Sequence, residues 1–293
     1  MLKTILIVLL FLLLCILLVK SNKSVYEGFT EGGDKFVYKN QDLYDDFYTS
    51  VYDDLVYNRR KNDFEVGEIM KYVSDGAVLD IGSGTGHHVK ALHEKGLDCV
   101  GIDSSKSMIK HAKIKFPQQK FIYADALKTM TFQPNSFDLI TMLYFTVYYI
   151  KDKEQLFKNV ALWLKPGGYF VMHLVDKHQF NPMVPAGDPF VIISPQNYTD
   201  KRIKDTVVHF DNFKYKSNFA LPEKNKNKAV FKEYFKFKDN GKVRQNDHVF
   251  YMENQKKIAQ MVKNVGLKLE EVIDMSPCAY DHQYLYVFRK PGY

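Results

Sequence analysis

Through the middle of the chain, short apolar runs alternate with stretches whose apolar residues recur every three or four positions. Ala77-Val78-Leu79-Asp80-Ile81 reads as a buried strand, and Gly82-Ser83-Gly84-Thr85-Gly86 turns it into a helix running to about Lys95. Asp98 to Ile102 is the next strand, followed by a helix over Lys106–Lys115 that Pro117 terminates. Phe121-Ile122-Tyr123 and Phe137 to Leu143 are the third and fourth strands. A helix over Asp152–Leu164 then leads through Pro166-Gly167-Gly168 into the fifth, Tyr169–Val175. Strands alternating with helices of this length predict an α/β fold, a doubly wound parallel sheet covered on both faces.

Upstream of this pattern, Leu43, Phe47, Val51 and Leu55 step by four between Asp42 and Tyr57 and predict a helix with an apolar face. Tyr44, Tyr48 and Tyr52 form a second stripe beside it. Plain helix packing is the commoner explanation of such a stripe, and a helix lying over a ligand is the other. The front end has a different character. Thr4 to Val19 is sixteen residues without a charge, almost all Leu, Ile and Val. As a helix it would span roughly 24 Å at about 1.5 Å per residue, just short of a ~30 Å hydrocarbon core. Lys3 and Lys20 could snorkel to the two interfaces. No small-x-small cleavage site follows it, so a retained transmembrane anchor over residues 1–20 is preferred to a cleaved signal peptide. Lys20, Lys23, Lys35 and Lys39 on the far side place the following domain in the cytosol, as a single-pass membrane protein. Residues 21–40 read as a flexible tether and 41–293 as the folded domain.

Composition adds limits. The chain is 46% hydrophobic and 26% charged, which excludes a disordered or collagenous protein. Its three Cys, far apart in sequence, exclude a disulfide scaffold and a Cys-based zinc ribbon.

Candidate chemistry gathers at the carboxyl ends of the predicted strands, where open α/β sheets bind ligands. Gly82, Gly84 and Gly86 allow a tight turn and a close backbone approach to a ligand. Asp103 ends the next strand at a spacing that suits a carboxylate accepting two hydrogen bonds from a ribose diol. The alternative is that Asp103 merely caps the following helix. Two details separate the loop from a nicotinamide site. The G-x-G-x-x-G pattern fails, with Thr85 or His87 standing where the third glycine belongs. Asp80 also precedes the turn, where it would repel a pyrophosphate but suit a ligand bearing an amino group and a sulfonium.

The chain resembles the class I S-adenosylmethionine (SAM)-dependent methyltransferases. Five ordered blocks carry the resemblance: Val78 to Gly86, Gly101-Ile102-Asp103, Ala124-Asp125-Ala126, Phe137-Asp138-Leu139-Ile140, and Leu164-Lys165-Pro166-Gly167-Gly168. It implies a Rossmann-like, mostly parallel sheet of seven strands whose last strand is antiparallel. A helix Glu253–Val265 and strands Leu267–Asp274 and Gln283–Phe288 would close it. It implies SAM as cofactor, bound by Asp80, Gly82, Ser83, Gly84, Gly86, Asp103, Ser104, Asp125, Ala126 and Leu143. Asp125 would meet the adenine amino group, and Met108 would pack on the adenine unless it is a core residue.

Residues 176–252 fall where that family varies most and are expected to form an antiparallel β insert that caps the substrate. Asp205–Phe219 and Val230–Phe250 look extended, with a hairpin turn at Asp239-Asn240-Gly241-Lys242. Residues 201–250 hold thirteen Lys and Arg against six Asp and Glu. This basic insert is either a solvated edge protected by lysines or a surface for an anionic substrate or acidic lipid; no nucleic-acid motif appears. His173 and Tyr144 are expected at the pocket mouth, and His209 and His248 could hang over it from the insert. His173, Tyr144 and His248 are the catalytic candidates. No metal is expected, since His87 and His88 point apart on a helix. The reading is therefore a membrane-tethered SAM-dependent methyltransferase acting on an N or O nucleophile of a small amine, a sugar, a lipid headgroup or a protein. A non-catalytic SAM-fold membrane protein and an aminopropyltransferase are the alternatives.

Overall fold

The alternating pattern folds into two sheets in the computed structural model, which describes residues 35–182, 204–222 and 227–292. In chain order the elements are β1 (Lys35–Lys39), α1 (Asp46–Val56), α2 (Arg59–Ile69), β2 (Ala77–Ile81), α3 (His87–His93), β3 (Asp98–Asp103), α4 (Lys106–Lys115), β4 (Lys120–Tyr123), β5 (Phe137–Met142), α5 (Thr146–Tyr149), α6 (Lys153–Trp163), β6 (Leu164–Val175), β7 (Asp205–His209), β8 (Phe213–Ala220), β9 (Lys228–Phe237), β10 (Val243–Tyr251), α7 (Gln255–Asn264), β11 (Lys268–Asp274) and β12 (Gln283–Arg289). Short polar side chains open five of the helices. Asp45, Asn58, Ser105, Asp152 and Asn254 each accept the backbone N–H three residues on, satisfying a donor the helix itself leaves unpaired.

The first sheet has seven strands in the order β11-β12-β6-β5-β2-β3-β4. β2 through β6 pair in parallel, while β12 runs antiparallel to both β6 and β11. This is the Rossmann-like arrangement that the resemblance implied. Val78, Leu79 and Ile81 of β2 and Leu139, Ile140 and Met142 of β5 are all buried, as central strands covered on both faces require. The chain leaves β2 toward β3 on one side and has β5 on the other. That reversal of direction opens a crevice at the carboxyl ends of β2 and β5.

The second sheet has five strands in the order β1-β10-β9-β8-β7. Each of the two extended segments expected in the insert is divided into two strands, and β7 to β10 form an antiparallel meander. The bend expected at Asp239 to Lys242 joins β9 to β10, with the Asn240 side chain accepting the Lys242 N–H at 2.9 Å. Lys35–Lys39 corrects the tether reading. It is a strand paired in parallel with Val243 to Asp247. Its charged ends disguise a period-two pattern that sets Phe36 and Tyr38 on one face. Tyr38 lies under the Arg244 guanidinium, 4.0 Å from its carbon to the ring centroid.

The rest of the expected tether and the apolar segment Thr4–Val19 lie outside the described residues. Among the described residues, no helix is long and apolar enough to cross a membrane. The five-stranded sheet turns its inner face, including Phe213, Tyr215, Phe235 and Phe250, toward α1 and the crevice. Tyr48 and Leu55 of α1 share a buried cluster with the first three of these.

Candidate active site

A cavity of about 760 Å³ lies between the carboxyl ends of β2, β3 and β5 and the inner face of the five-stranded sheet. The loop after β2 forms one wall. Gly82 and Gly84 sit at φ +73° and +53°, the left-handed region that favours glycine. The N–H groups of Gly82 and Ser83 donate to the Ile102 carbonyl at 2.8 and 2.9 Å and pin the loop to β3. A Cβ at Gly82 would collide with Thr146, whereas one at Gly84 would meet only the Tyr52 ring at 3.9 Å. Bare backbone at Gly84 therefore faces open space. Gly86 departs from expectation. It begins α3 at φ +89°, a Cβ there would strike Phe121, and it does not line the cavity. Its glycine identity serves helix–sheet packing, not ligand contact.

The other expected cofactor residues, Asp80, Ser83, Asp103, Ser104, Met108, Asp125, Ala126 and Leu143, all line the cavity along with Gly82 and Gly84. The Asp103 carboxylate accepts the Gly84 N–H at 3.0 Å and the Ser105 N–H at 2.8 Å. Ser105, not Asp103, caps α4, which removes the capping alternative. Burial raises the Asp103 carboxyl above its ordinary value against the pull of the Ser105, Gly84 and Ser104 N–H groups. Asp80 accepts the Thr141 hydroxyl at 2.7 Å, and burial pushes its pKa up to about 6. A carboxylate in that position is ionised at neutral pH and short of counter-charge. Asp125 follows β4 and accepts the Leu127 N–H at 2.9 Å.

Tyr44, Tyr48 and Tyr52 satisfy both readings of their stripe, since Tyr48 packs in the core and all three line the cavity. A polar group fastens α1 across the glycine loop. Thr85 donates to Asp53 at 2.6 Å, His87 Nε2 lies 3.0 Å from the same carboxylate, and Lys115 completes it. Burial alone would raise the Asp53 carboxyl, but His87, Lys115 and Thr85 outweigh it and hold it far below the usual range. From α2, Lys61 reaches Glu65 at 2.8 Å, and His88 Nε2 reaches the same carboxylate at 2.8 Å.

The catalytic candidates separate. Tyr144 lines the cavity at φ +52°, with the Lys61 ammonium 5.0 Å from its ring centroid. His248 also lines it, on the inner face of β10, with Nε2 2.6 Å from Glu233 and Nδ1 2.6 Å from the Tyr149 hydroxyl. His173 is a correction. It does not reach the pocket mouth; it is fully buried on β6 and absent from the cavity wall, its ring 6.4 Å from those of Tyr144 and Phe145. β6 continues to Val175 between β5 and β12, so a residue near its end is still interior. His209 is exposed on β7 and does not line the cavity. Sequence reasoning passed over Tyr149, Glu233 and the Lys61–Glu65–His88 group. The signal for Glu233 was there: a lone carboxylate on the aromatic face of an otherwise alternating strand.

A family profile described as a methyltransferase domain matches residues 79–172, which cover most of β2 through most of β6. The chain is 34% identical over 119 residues to the uncharacterized methyltransferase YcgJ of Bacillus subtilis, a match over 39% of this chain and 45% of that protein. It thus spans less than half the length of the curated relatives it matches. Among solved structures, an S-adenosylmethionine-dependent methyltransferase from Clostridium acetobutylicum aligns with a TM-score of 0.64 at 19% identity, over 84% of this chain and 98% of that one. The SAM-bound amino pentose methyltransferase CalS10 from Micromonospora echinaspora aligns with a TM-score of 0.58 at 15% identity, over 83% and 96%. Residues 79–172 thus match a methyltransferase domain, and the fold around them is the one seen in solved SAM-dependent methyltransferases. The cavity suits S-adenosylmethionine, the molecule bound in CalS10. Asp80 offers an under-compensated carboxylate to a cationic ligand, Asp103 keeps lone pairs for hydroxyl donors, and Gly84 leaves its backbone open to close approach.

Proposed function

We propose that this chain transfers a methyl group from SAM to an oxygen or nitrogen nucleophile held beneath the five-stranded sheet. One observation carries the reading: the cavity is continuous from Asp80, Asp103 and Asp125 to the aromatic inner face of the cap at Phe219, Phe231 and Phe250. Its volume, about 760 Å³, lies in the upper part of the ~300–1,000 Å³ range usual for ligand sites. Bound there, SAM supplies a methyl carbon on a positively charged sulfur. Asp103 accepts the ribose hydroxyls, Asp125 the adenine amino group, and Asp80 balances the cationic end. The aromatic side chains of the cap and α1 exclude water and hold the acceptor in line, which is most of what a direct displacement needs from a protein. Titration calorimetry should show binding of SAM and S-adenosylhomocysteine. Asp103→Ala should weaken it by about 2–3 kcal/mol, the loss of two charge-assisted hydrogen bonds. A folded protein that binds neither molecule would sink the proposal.

We further propose that Thr4–Val19 is a retained membrane anchor and that the outer face of the five-stranded sheet rests on an acidic leaflet. The support is alternation. Lys35, Lys39, Lys214, Lys228 and Lys232 occupy the strand positions opposite to the cavity-facing residues, with Asp247 and Asp205 as the acids among them. At about 1 kcal/mol per basic residue near anionic lipid, a few such contacts would orient the domain. The full chain should remain in the membrane fraction after alkaline extraction. Lys35→Glu with Lys214→Glu and Lys232→Glu should weaken its orientation on phosphatidylserine vesicles, read as increased protease access to the cap, with SAM affinity unchanged. Complete release by alkali would overturn the anchor, and unchanged protease access would overturn the docking face.

A further inference from the structure

The inner face of the cap carries a buried chain of hydrogen bonds that cofactor binding does not explain. Glu233, on β9, is fully buried. Its carboxylate accepts from Tyr215 at 2.7 Å, from Asn246 at 3.3 Å and from His248 Nε2 at 2.6 Å. The far side of the imidazole, Nδ1, lies 2.6 Å from the Tyr149 hydroxyl, which is itself 2.8 Å from the hydroxyl of Tyr44. Donor counting sets the direction. An ionised Glu233 only accepts, so His248 Nε2 carries a proton; a neutral imidazole then accepts at Nδ1, so Tyr149 donates to it. Tyr149 in turn accepts from Tyr44. Every group but one is engaged on both sides. The open end is Tyr44, a residue of the cavity wall, whose oxygen has lone pairs left over.

Tyr44 is also held in place more firmly than packing requires. Arg244 donates to the Leu43 carbonyl at 2.9 Å and to the Asp45 carboxylate at 2.6 Å, clamping the residues on either side of it. The same guanidinium bonds Asn246 at 2.9 Å, and Asn246 bonds Glu233, so the clamp and the carboxylate belong to one network. The Tyr44 carbonyl accepts the Ser105 hydroxyl at 2.9 Å, two residues beyond Asp103. The Tyr44 backbone is therefore tied to the start of α4 just after Asp103, and the Asp103 charge acts on the Tyr44 hydroxyl.

We propose that Tyr44, Tyr149, His248 and Glu233 form a proton relay that serves a hydroxyl acceptor, making this chain an O-methyltransferase. The inference rests on the methyl-transfer reading above and names the acceptor class. In the step, the acceptor O–H gives its proton to the Tyr44 oxygen as the Tyr44 proton moves to Tyr149 and the Tyr149 proton to His248 Nδ1. The freed oxygen pair forms the bond to the methyl carbon. The carbon–sulfur bond breaks, its pair stays on sulfur, and the sulfur becomes neutral. His248 ends as an imidazolium facing the Glu233 carboxylate. Burial pushes the Tyr44 and Tyr149 hydroxyls well above their ordinary values, so neither stands as a resting phenolate, and the proton must pass through both. Tyr44 is the catalytic residue on this scheme. Tyr149 and His248 carry the proton onward, and Glu233 positions the imidazole.

The test compares two phenols with the full chain and labelled SAM. Catechol needs a base at pH 8, whereas 4-nitrocatechol is already ionised there. Wild type should methylate both. His248→Gln and Tyr149→Phe should lose about 10²- to 10⁴-fold on catechol, the usual worth of a general base, and stay within about 3-fold of wild type on 4-nitrocatechol. Tyr149→Phe removes one hydroxyl and guards against a His248 variant that fails to fold. Equal losses on both phenols, no loss on catechol, or methylation of benzylamine but neither phenol would overturn the relay. Absence of SAM binding by wild type would instead defeat the methyl-transfer reading. The relay would then be judged by the nitrogen resonances of His248, which should show a bare Nδ1 and a protonated Nε2 at pH 7; the opposite tautomer overturns it.

Discussion

Replacing Lys61 with Met should destabilise the protein by about 3–5 kcal/mol at neutral pH, because it strands a buried carboxylate. Glu65 is fully buried and Lys61 nearly so, and their charged atoms are 2.8 Å apart. Burial alone would raise the Glu65 carboxyl, but Lys61 and His88 outweigh it and hold it near 2. Without the ammonium, only the partly exposed His88 remains to balance the charge. Urea denaturation measures the loss. Replacing both partners, Lys61→Met with Glu65→Leu, should recover most of it, since an apolar pair of similar volume leaves nothing charged in the interior. A single variant within 1 kcal/mol of wild type would show that water reaches Glu65 and that the pair contributes little. The sign of the pH dependence follows from the lowered carboxyl. The stability it contributes is present above the unfolded carboxyl range and fades as the pH falls toward 2.

That buried pair also explains why α2 was not legible in the sequence. Hydrophobic periodicity finds helices by their apolar faces, and the buried positions of Arg59–Ile69 include Lys61, Asn62 and Glu65. The central strands had no such disguise. β2 begins and ends at the residues expected, and α4 spans Lys106–Lys115 as its apolar spacing and Pro117 predict. The glycine loop and Asp103 were readable because backbone geometry and strand spacing dictate them locally. The cap was readable only in outline. Strand alternation showed that Asp205–Phe219 and Val230–Phe250 are extended, but β10 also pairs with β1, two hundred residues earlier in the chain. The juxtaposition of Tyr44, Tyr149, Glu233 and His248 depends on that long-range pairing and on the Arg244 clamp. No local spacing encodes it. Gly86 and His173 failed for a related reason: a residue's place at the end of a strand or in a glycine loop does not say which side of the backbone its neighbours fill.

His173→Leu should flatten the acid limb of the stability profile and leave a variant about 3 kcal/mol more stable than wild type at pH 4. His173 is fully buried, and its two ring nitrogens lack a well-formed hydrogen bond. Burial, and then the Lys61 ammonium, push its pKa down to about 3 against the opposing pull of Glu65 and Gln283. The folded protein therefore keeps this ring neutral while the unfolded chain protonates it near 6.5. Between those values the unfolded state binds the extra proton, so stability falls by about 1.4 kcal/mol for each unit of decreasing pH. Asp80 acts in the opposite sense. Its folded-state pKa is raised to about 6, so its contribution is present below the unfolded carboxyl range and is lost as the pH rises through 6. The two windows overlap, which partly levels the wild-type profile and makes the difference between variant and wild type the quantity to measure. Urea titrations of both proteins at intervals from pH 7 to pH 4 give it directly. The gap should be small at pH 7 and widen steadily with acid. Parallel profiles would mean that the folded protein protonates His173 as readily as the unfolded chain does, and that the ring is not sealed within β6.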